Sequence, residues 1–305
     1  MQRIIEPLKK MGVQITGSRK NTLPLLLKPA FNQNAIKYEL QIASAQVKSA
    51  IIFTGLQIED KTEVIETRIT RNHTENLLDL DVKKTQGKII SSVSLKDYPD
   101  AKEYFIPGDI SSAMYFIVIA LLTKNSELQI TNVSLNETRI AAIELLLKMG
   151  AKIELVIKGD SQREKYGDLI VKSSELQNVQ IKNEIIPLII DEIPILAVAG
   201  LFAEGEFKIN NALELRVKES DRIKSLCDNI SSLGVEVKEF NDGFSCSGAI
   251  KISNPAFKSF HDHRIAMAFS ILSCLLDDGG SVDGFESAAI SNPDFLHQLK
   301  NIINH

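Results

Sequence analysis

Between residues 214 and 226 the chain reads ELRVKESDRIKSL. Arg216, Lys218, Glu219, Asp221 and Arg222 fall within seven positions, and an apolar helical period follows. A helix start carries a partial positive charge, so a cation placed there costs stability. Lys218 and Arg222 make more sense with an anion at the site. The same habit appears in HDHRIAMA (261–268), where Arg264 follows His263. Polar clusters also open ASAQVKSA (43–50), PGDISSAMY (107–115) and DEIPILAV (191–198). Several such helix starts facing one cleft would hold an anionic, phosphorylated ligand. Plainer readings stand beside this one. Lys218, Glu219 and Arg222 can form a solvated helix face with one i, i+3 ion pair, and Asp191 can be the N-cap of its own helix, with Pro194 in the first turn. Asp109 or Ser111 can cap the helix at 112. Gln46 and Lys48, taken singly, read as surface-helix residues, and His73 as a loop residue. His261 and His263 point apart at a helix start, and no further Cys or His cluster accompanies them, so no metal is expected.

The elements that position these residues follow from periodicity. An apolar helix, a tight acidic or glycine turn and a short strand recur at 49–67, 115–132, 194–211 and 266–285, with strands starting near 62, 127, 206 and 280. A second unit, a helix ending in a small turn before a strand, appears in PLKKMGVQI, LLLKMGAKIEL and SSLGVEVKEF. There Gly12, Gly150 and Gly234 stand where a helix C-terminus needs a left-handed residue. In TRIAAIELLLKMGA the period puts Ile140, Ile143 and Leu147 on one face, with Glu144 and Lys148 paired on another. Alternating helices and strands give an α/β class. The polar stretch 93–105 marks a domain boundary, dividing the chain into residues 1–106 and 107–305.

The 305 residues are 44% hydrophobic and 24% charged, with net charge −4, which suggests no nucleic-acid partner. The longest apolar runs are 113–122, too short for a bilayer, and 185–202, which carries Asp191 and Glu192 at its middle, so no membrane span is expected. Cys227, Cys246 and Cys274 are scattered and read as reduced thiols of a cytoplasmic protein. There is no glycine-rich phosphate loop and no G-x-S-x-G elbow.

IASAQVKSAIIFTGL, TRNHTENLL, IPGDISSAMYFIVIALL, NETRIAAIELLLKMGA, DEIPILAVAGLFAEG, ELRVKESDRI and HDHRIAMAFSIL resemble, in order, the signature segments of the 3-phosphoshikimate 1-carboxyvinyltransferases. The resemblance runs from residue 1 to about 295. It implies an enolpyruvyl transferase fold, a two-globe inside-out barrel of repeated βαβαββ units. It implies a cofactor-free transferase of the shikimate pathway of aromatic amino acid biosynthesis. The substrates would be shikimate 3-phosphate and phosphoenolpyruvate, and full-length family members are usually monomers. On the family's motifs, Ser44, Ala45 and Gln46 look like contacts to the shikimate 3-phosphate, with Gln46 also near phosphoenolpyruvate, and Thr70 and Arg71 look like phosphate-side contacts. Asp191 and Lys218 resemble the pair on the shikimate hydroxyls, Asp191 being the base at the 5-hydroxyl, and Glu219 resembles the residue that handles the methylene proton. Arg222 and Arg264 look like the clamp on phosphoenolpyruvate, with Asp262 and His263 behind them.

The chain departs from the family at several points. Thr70 stands where serine is usual, Asn72 replaces an aspartate, and Ile290 sits where some members have a lysine that touches phosphoenolpyruvate. Family members carry, ahead of the first matching segment, a lysine–serine pair, a glycine-bearing loop and an arginine that bind substrate. Met1 therefore falls mid-domain, the N-terminal globe is expected to be incomplete, and residues 1–305 alone are expected to be inactive. Two alternatives are a non-catalytic remnant of this enzyme and the sister enolpyruvyl transferase acting on UDP-N-acetylglucosamine. The sister enzyme normally uses a loop cysteine.

Overall fold

A computed structural model describes residues 1–17, 23–28 and 32–303. The chain divides into two compact units: residues 1–106 with 160–164, and residues 107–159 with 165–305.

Unit 1 opens with helix α1 (Gln2–Lys10) and strands β1 (Gln14–Thr16) and β2 (Leu26–Lys28), which pair antiparallel. Then come β3 (Lys37–Glu39), helix α2 (Ala45–Gly55), β4 (Thr62–Glu66), a short helix α3 (His73–Leu77), β5 (Asp81–Thr85) and β6 (Lys88–Val93). The sheet order is β3-β4-β6-β5, with β3 parallel to β4 and the other pairs antiparallel. Val47, Ile51 and Ile52 of α2 are buried with Val64 and Val93 of the sheet and with Met11 and Leu80. The edge strand β5 is exposed along its whole length, and its lysines Lys83 and Lys84 make it a poor template for another strand. His73 is not a loop residue: it is the first residue of α3, and its Nδ1 lies 2.7 Å from Glu164 Oε1.

Unit 2 contains α4 (Ile110–Leu122), β7 (Glu127–Ser134), α5 (Ala141–Lys148), β8 (Lys152–Ser161), β9 (Glu164–Lys172), the four-residue α6 (Ile186–Ile189) and α7 (Ile193–Phe202). After these come β10 (Phe207–Ile209), α8 (Arg222–Ser231), β11 (Glu236–Phe240), β12 (Gly243–Ser247), β13 (Ala256–Lys258), α9 (His263–Leu275), β14 (Ser281–Asp283) and α10 (Phe295–Ile303). The tip of the β8–β9 hairpin belongs to unit 1, where Ser161 donates to the Phe105 carbonyl, Arg163 pairs with Asp79 and Glu164 meets His73. Two three-stranded sheets, β7-β9-β8 and β10-β12-β11, and the parallel pair β13-β14 flank the helices. Helices α4, α7 and α9 are apolar nearly all round, which forces burial, and they pack on one another at the centre of the unit's core.

The expected strands appear at 62, 127, 207 and 281, and Gly12, Gly150 and Gly234 take φ of +89°, +98° and +72° at helix ends. The face assigned to α5 needs correction. Ile143 is buried, but Leu147 is exposed and the buried set is Ala141, Ala142, Ile143, Leu145 and Leu146; Glu144 and Lys148 form no ion pair. The buried arc of the helix is therefore wider than a single stripe.

Gly200 in α7 shows packing overriding propensity. Alanine in a helix interior normally gains about 0.5–1 kcal/mol over glycine, but a Cβ here would lie 2.3 Å from the Phe207 ring. Gly200→Ala is therefore expected to destabilise, by the roughly 1–3 kcal/mol of an overpacked core. A thermal melt that rises instead would show that Phe207 can move aside.

No single helix among the described residues is long and apolar enough to cross a membrane. The apolar stretch 183–202 bends by 115° between residues 189 and 193, so Asp191 and Glu192 sit on a corner.

Candidate active site

In unit 2 that corner is where the charges meet. Lys218 Nζ stands 3.6 Å from Asp191 Oδ1, Arg222 Nη1 3.5 Å from the same oxygen, and Arg264 Nη2 3.8 Å from Oδ2. Arg264 Nη1 also donates to the Asp191 main-chain carbonyl at 2.9 Å. Asp191 is thus not the cap of α7: Glu192 holds the N-cap position without a side-chain cap bond, and Asp191 turns to the cations.

Lys218 and Glu219 precede α8, in the link after a 3₁₀ turn (Leu213–Val217), and Asp221 caps the helix by accepting from Lys224 N at 3.0 Å. Arg222 is the first helical residue and only 1% exposed. The i, i+3 pair with Glu219 does form, at 2.5 Å, but on a buried guanidinium rather than a solvated face. Arg222 Nε donates to Asp262 Oδ2 at 2.8 Å, and Ser220 donates to the same oxygen at 3.0 Å. Arg222 Nη1 makes no hydrogen bond within the described structure. Asp262 also caps α9 through Arg264 N at 2.9 Å. Burial alone would raise the Asp262 carboxyl; the Arg222 hydrogen bond and charge and the Arg264 N–H outweigh it and hold it below the usual range. Burial and the Arg264 charge lower His263, which keeps that imidazole neutral at neutral pH. The cluster can do two things chemically: it presents three cations to an anion, and it keeps a carboxylate beside them that can accept a proton.

Behind the corner lies a second buried cluster. Asp109 caps α4 by accepting from Ser111 N and Ser112 N. Ser111 donates to Glu192 Oε1 and accepts from Arg139 Nη2. Arg139 Nη2 also lies 3.4 Å from Asp109 Oδ1 and 3.7 Å from Glu192 Oε1. Burial would raise Asp109, but Arg139 and the two N–H donors bring it below the ordinary value.

In unit 1, Ser44 is the N-cap of α2, its hydroxyl accepting from Val47 N at 3.4 Å; Ala45 opens the helix and Gln46 Oε1 accepts from Arg3 at 3.2 Å. Lys48 is not a surface residue. It is 1% exposed, with Nζ 2.8 Å from Glu66 and 2.6 Å from Glu75. Thr70 donates its single hydroxyl proton to Glu66 at 2.5 Å, which leaves only its backbone N–H as a donor to a ligand. Lys48→Met would leave two buried carboxylates without their counter-ion, and breaking a buried pair typically costs about 3–5 kcal/mol. The expected result is a large drop in melting temperature; an unchanged melt would show that water or protonation replaces the lysine. No group of three or more His, Cys, Asp or Glu among the described residues is arranged to hold a metal.

Residues 1–299 match the family model of EPSP synthase (3-phosphoshikimate 1-carboxyvinyltransferase). The chain belongs to the EPSP synthase family. It is 42% identical over 307 residues to the 3-phosphoshikimate 1-carboxyvinyltransferase of Petrotoga mobilis, covering 99% of this chain and 71% of the relative. The Bacillus subtilis enzyme of that name is 38% identical over 304 residues, with 99% and 71% covered. Among solved structures, an EPSP synthase from Acinetobacter baumannii superposes with a TM-score of 0.82 at 35% identity, covering 99% of this chain and 70% of that one. The enolpyruvyl transferase NikO from Streptomyces tendae gives 0.74 at 13% identity, with 99% and 70% covered, which shows the shared fold.

Within this EPSP synthase family chain, the structure gathers Asp191, Lys218, Glu219, Arg222, Asp262, His263 and Arg264 in unit 2. Ser44, Ala45, Gln46, Thr70 and Arg71 lie in unit 1. Sequence reasoning missed Glu66, Glu75, Arg139 and Glu192 as partners. Glu192 carried a signal, a second acid inside an apolar run; Glu66 and Glu75 are ordinary strand and helix residues by pattern, and only burial marks them.

Proposed function

We propose that the gene-encoded protein transfers the enolpyruvyl group of phosphoenolpyruvate to the 5-hydroxyl of shikimate 3-phosphate. The hydroxyl oxygen attacks C2 of phosphoenolpyruvate while a proton reaches the C3 methylene. The resulting tetrahedral adduct loses a C3 proton and inorganic phosphate, giving 5-enolpyruvylshikimate 3-phosphate. Asp191 accepts the 5-hydroxyl proton with Lys218 beside it, Glu219 serves the methylene carbon, and Arg222 and Arg264 take the carboxylate and phosphate charge. Ser44, Ala45, Gln46, Thr70 and Arg71 are assigned to the shikimate 3-phosphate side, Thr70 through its backbone. The reading places the reaction in the cytoplasm, without cofactor.

One observation carries this reading: Lys218, Arg222 and Arg264 converge on Asp191 in a chain whose family match spans residues 1–299. The cysteines favour it over transfer to UDP-N-acetylglucosamine by way of a cysteine acid. Burial pushes the Cys227 and Cys246 thiols up to about 12, and Cys274 lies within α9. The test is phosphate release by the gene-encoded protein with phosphoenolpyruvate and either acceptor. Release dependent on shikimate 3-phosphate supports the reading, release dependent on the UDP-sugar replaces it, and neither release nor binding marks a non-catalytic protein.

A further inference from the structure

We propose that Glu192, anchored by Ser111 and Arg139, is a positioning residue that fixes the orientation of the Asp191 carboxylate; this rests on the reaction assigned above. The direction of the hydrogen-bond chain is forced by chemistry. A guanidinium only donates and a carboxylate only accepts, so Ser111 must receive from Arg139 and give its one proton to Glu192. Two separate pieces of chain, the start of α4 and the turn at 136–139, thereby hold one side chain of the corner before α7. The turn is itself stiff, since Asn136 Oδ1 accepts from both the Thr138 N–H at 2.8 Å and the Thr138 hydroxyl at 2.7 Å.

The corner needs such an anchor. α6 has only four residues, α7 starts without a side-chain cap bond, and Pro194 brings no N–H to its first turn. Glu192 is 2% exposed and turned inward, while Asp191, one planar peptide unit away, is turned to the cations. Arg264 grips the Asp191 carbonyl at 2.9 Å. The 191–192 peptide is therefore held from both sides, and releasing the Glu192 side chain leaves the Asp191 carboxylate oriented only by the cations it faces. Stability alone gives a weak reason for the cluster. Well-packed apolar residues often replace a buried ion pair at no cost, and the neighbouring helices α4 and α7 are already apolar. Arg139 Nη1 and Glu192 Oε2 make no hydrogen bond within the described structure, so the cluster is not optimised as a stabilising network.

The experiment uses the gene-encoded protein, with calorimetric stoichiometry of shikimate 3-phosphate binding to count competent sites. Glu192→Ala is expected to lower kcat per competent site by about 10²-fold, the effect of an ångström-scale misplacement, with both KM values within about threefold of wild type. Glu192→Gln, which still accepts from Ser111, recovers most of that loss. A kcat per site for Glu192→Ala within threefold of wild type overturns the proposal, as does a Gln variant no better than Ala. If Glu192→Ala does not fold, Ser111→Ala decides: it keeps both charges and removes the hydroxyl bridge, leaving only the 3.7 Å Arg139–Glu192 ion pair, and an unchanged kcat overturns the proposal. Wild-type protein in the same assay separates the two levels. Absence of wild-type turnover takes down the assigned reaction and this inference with it, whereas wild-type turnover with unaffected variants takes down this inference alone.

Discussion

Asp191→Asn is expected to lower kcat by about 10²–10⁴-fold, the range that general acid–base catalysis supplies, while the affinity for phosphoenolpyruvate changes little. The amide keeps the shape and can still face Lys218 from 3.6 Å, but it cannot take the 5-hydroxyl proton. Arg222 and Arg264 lose a competitor for the incoming anion, so phosphoenolpyruvate binding should hold or tighten. The measurement is steady-state phosphate release with each substrate varied in turn. An Asn variant that keeps kcat but loses affinity would make Asp191 a binding group and move the proton transfer elsewhere.

Asp262→Ala should be the most destabilising single change in unit 2. Asp262 is fully buried, and Arg222 is buried with it at 2.8 Å. Deleting the acid leaves a buried guanidinium short of its main counter-ion, about 3–5 kcal/mol, and removes the cap of α9, about 1 kcal/mol more. At roughly 2–4 °C per kcal/mol for a domain of this size, the melt should fall by about 10 °C or more. Asp262→Asn keeps a capping oxygen and should lose less. The same pair sets a pH dependence. Because the folded carboxyl titrates below its unfolded value, its contribution is fully present above the unfolded pKa of about 3.9 and is lost as pH falls from there through the lower folded value. His263 adds a loss at milder pH: its folded pKa is depressed, so stability declines as pH drops below about 6.5, where the unfolded imidazole gains its proton. An Asp262→Ala melt equal to wild type at pH 7 would show that Glu219 alone can hold Arg222.

The repeat was legible because hydrophobic period and turn chemistry are local: the strands at 62 and 127 and the left-handed glycines follow from neighbours along the chain. The charged residues of the helix starts were legible as types, since cations at a positive helix end stand out against the dipole. Their partners were not. Nothing near Lys48 in sequence announces Glu66 or Glu75, and Arg222 finds Asp262 40 residues away. Thr70 shows the limit of carrying a motif across: the residue type fits a phosphate contact, yet its hydroxyl proton is already given to a buried acid. Long-range pairing decides which charges face a ligand and which hold the fold.

The mutual packing of α4, α7 and α9 has a kinetic side. These helices lie at 110–122, 193–202 and 263–275, so the centre of unit 2 cannot form from neighbouring segments. Each helix is too apolar to persist alone in water, and it must wait for a partner many tens of residues away. Loop closure over such distances carries an entropic cost that precedes any gain from burial, and chains rich in distant contacts fold slowly. Unit 2 should thus acquire its core late and together, with the amides of the three helices the last to exchange in deuterium, and an aggregation-prone interval before they meet.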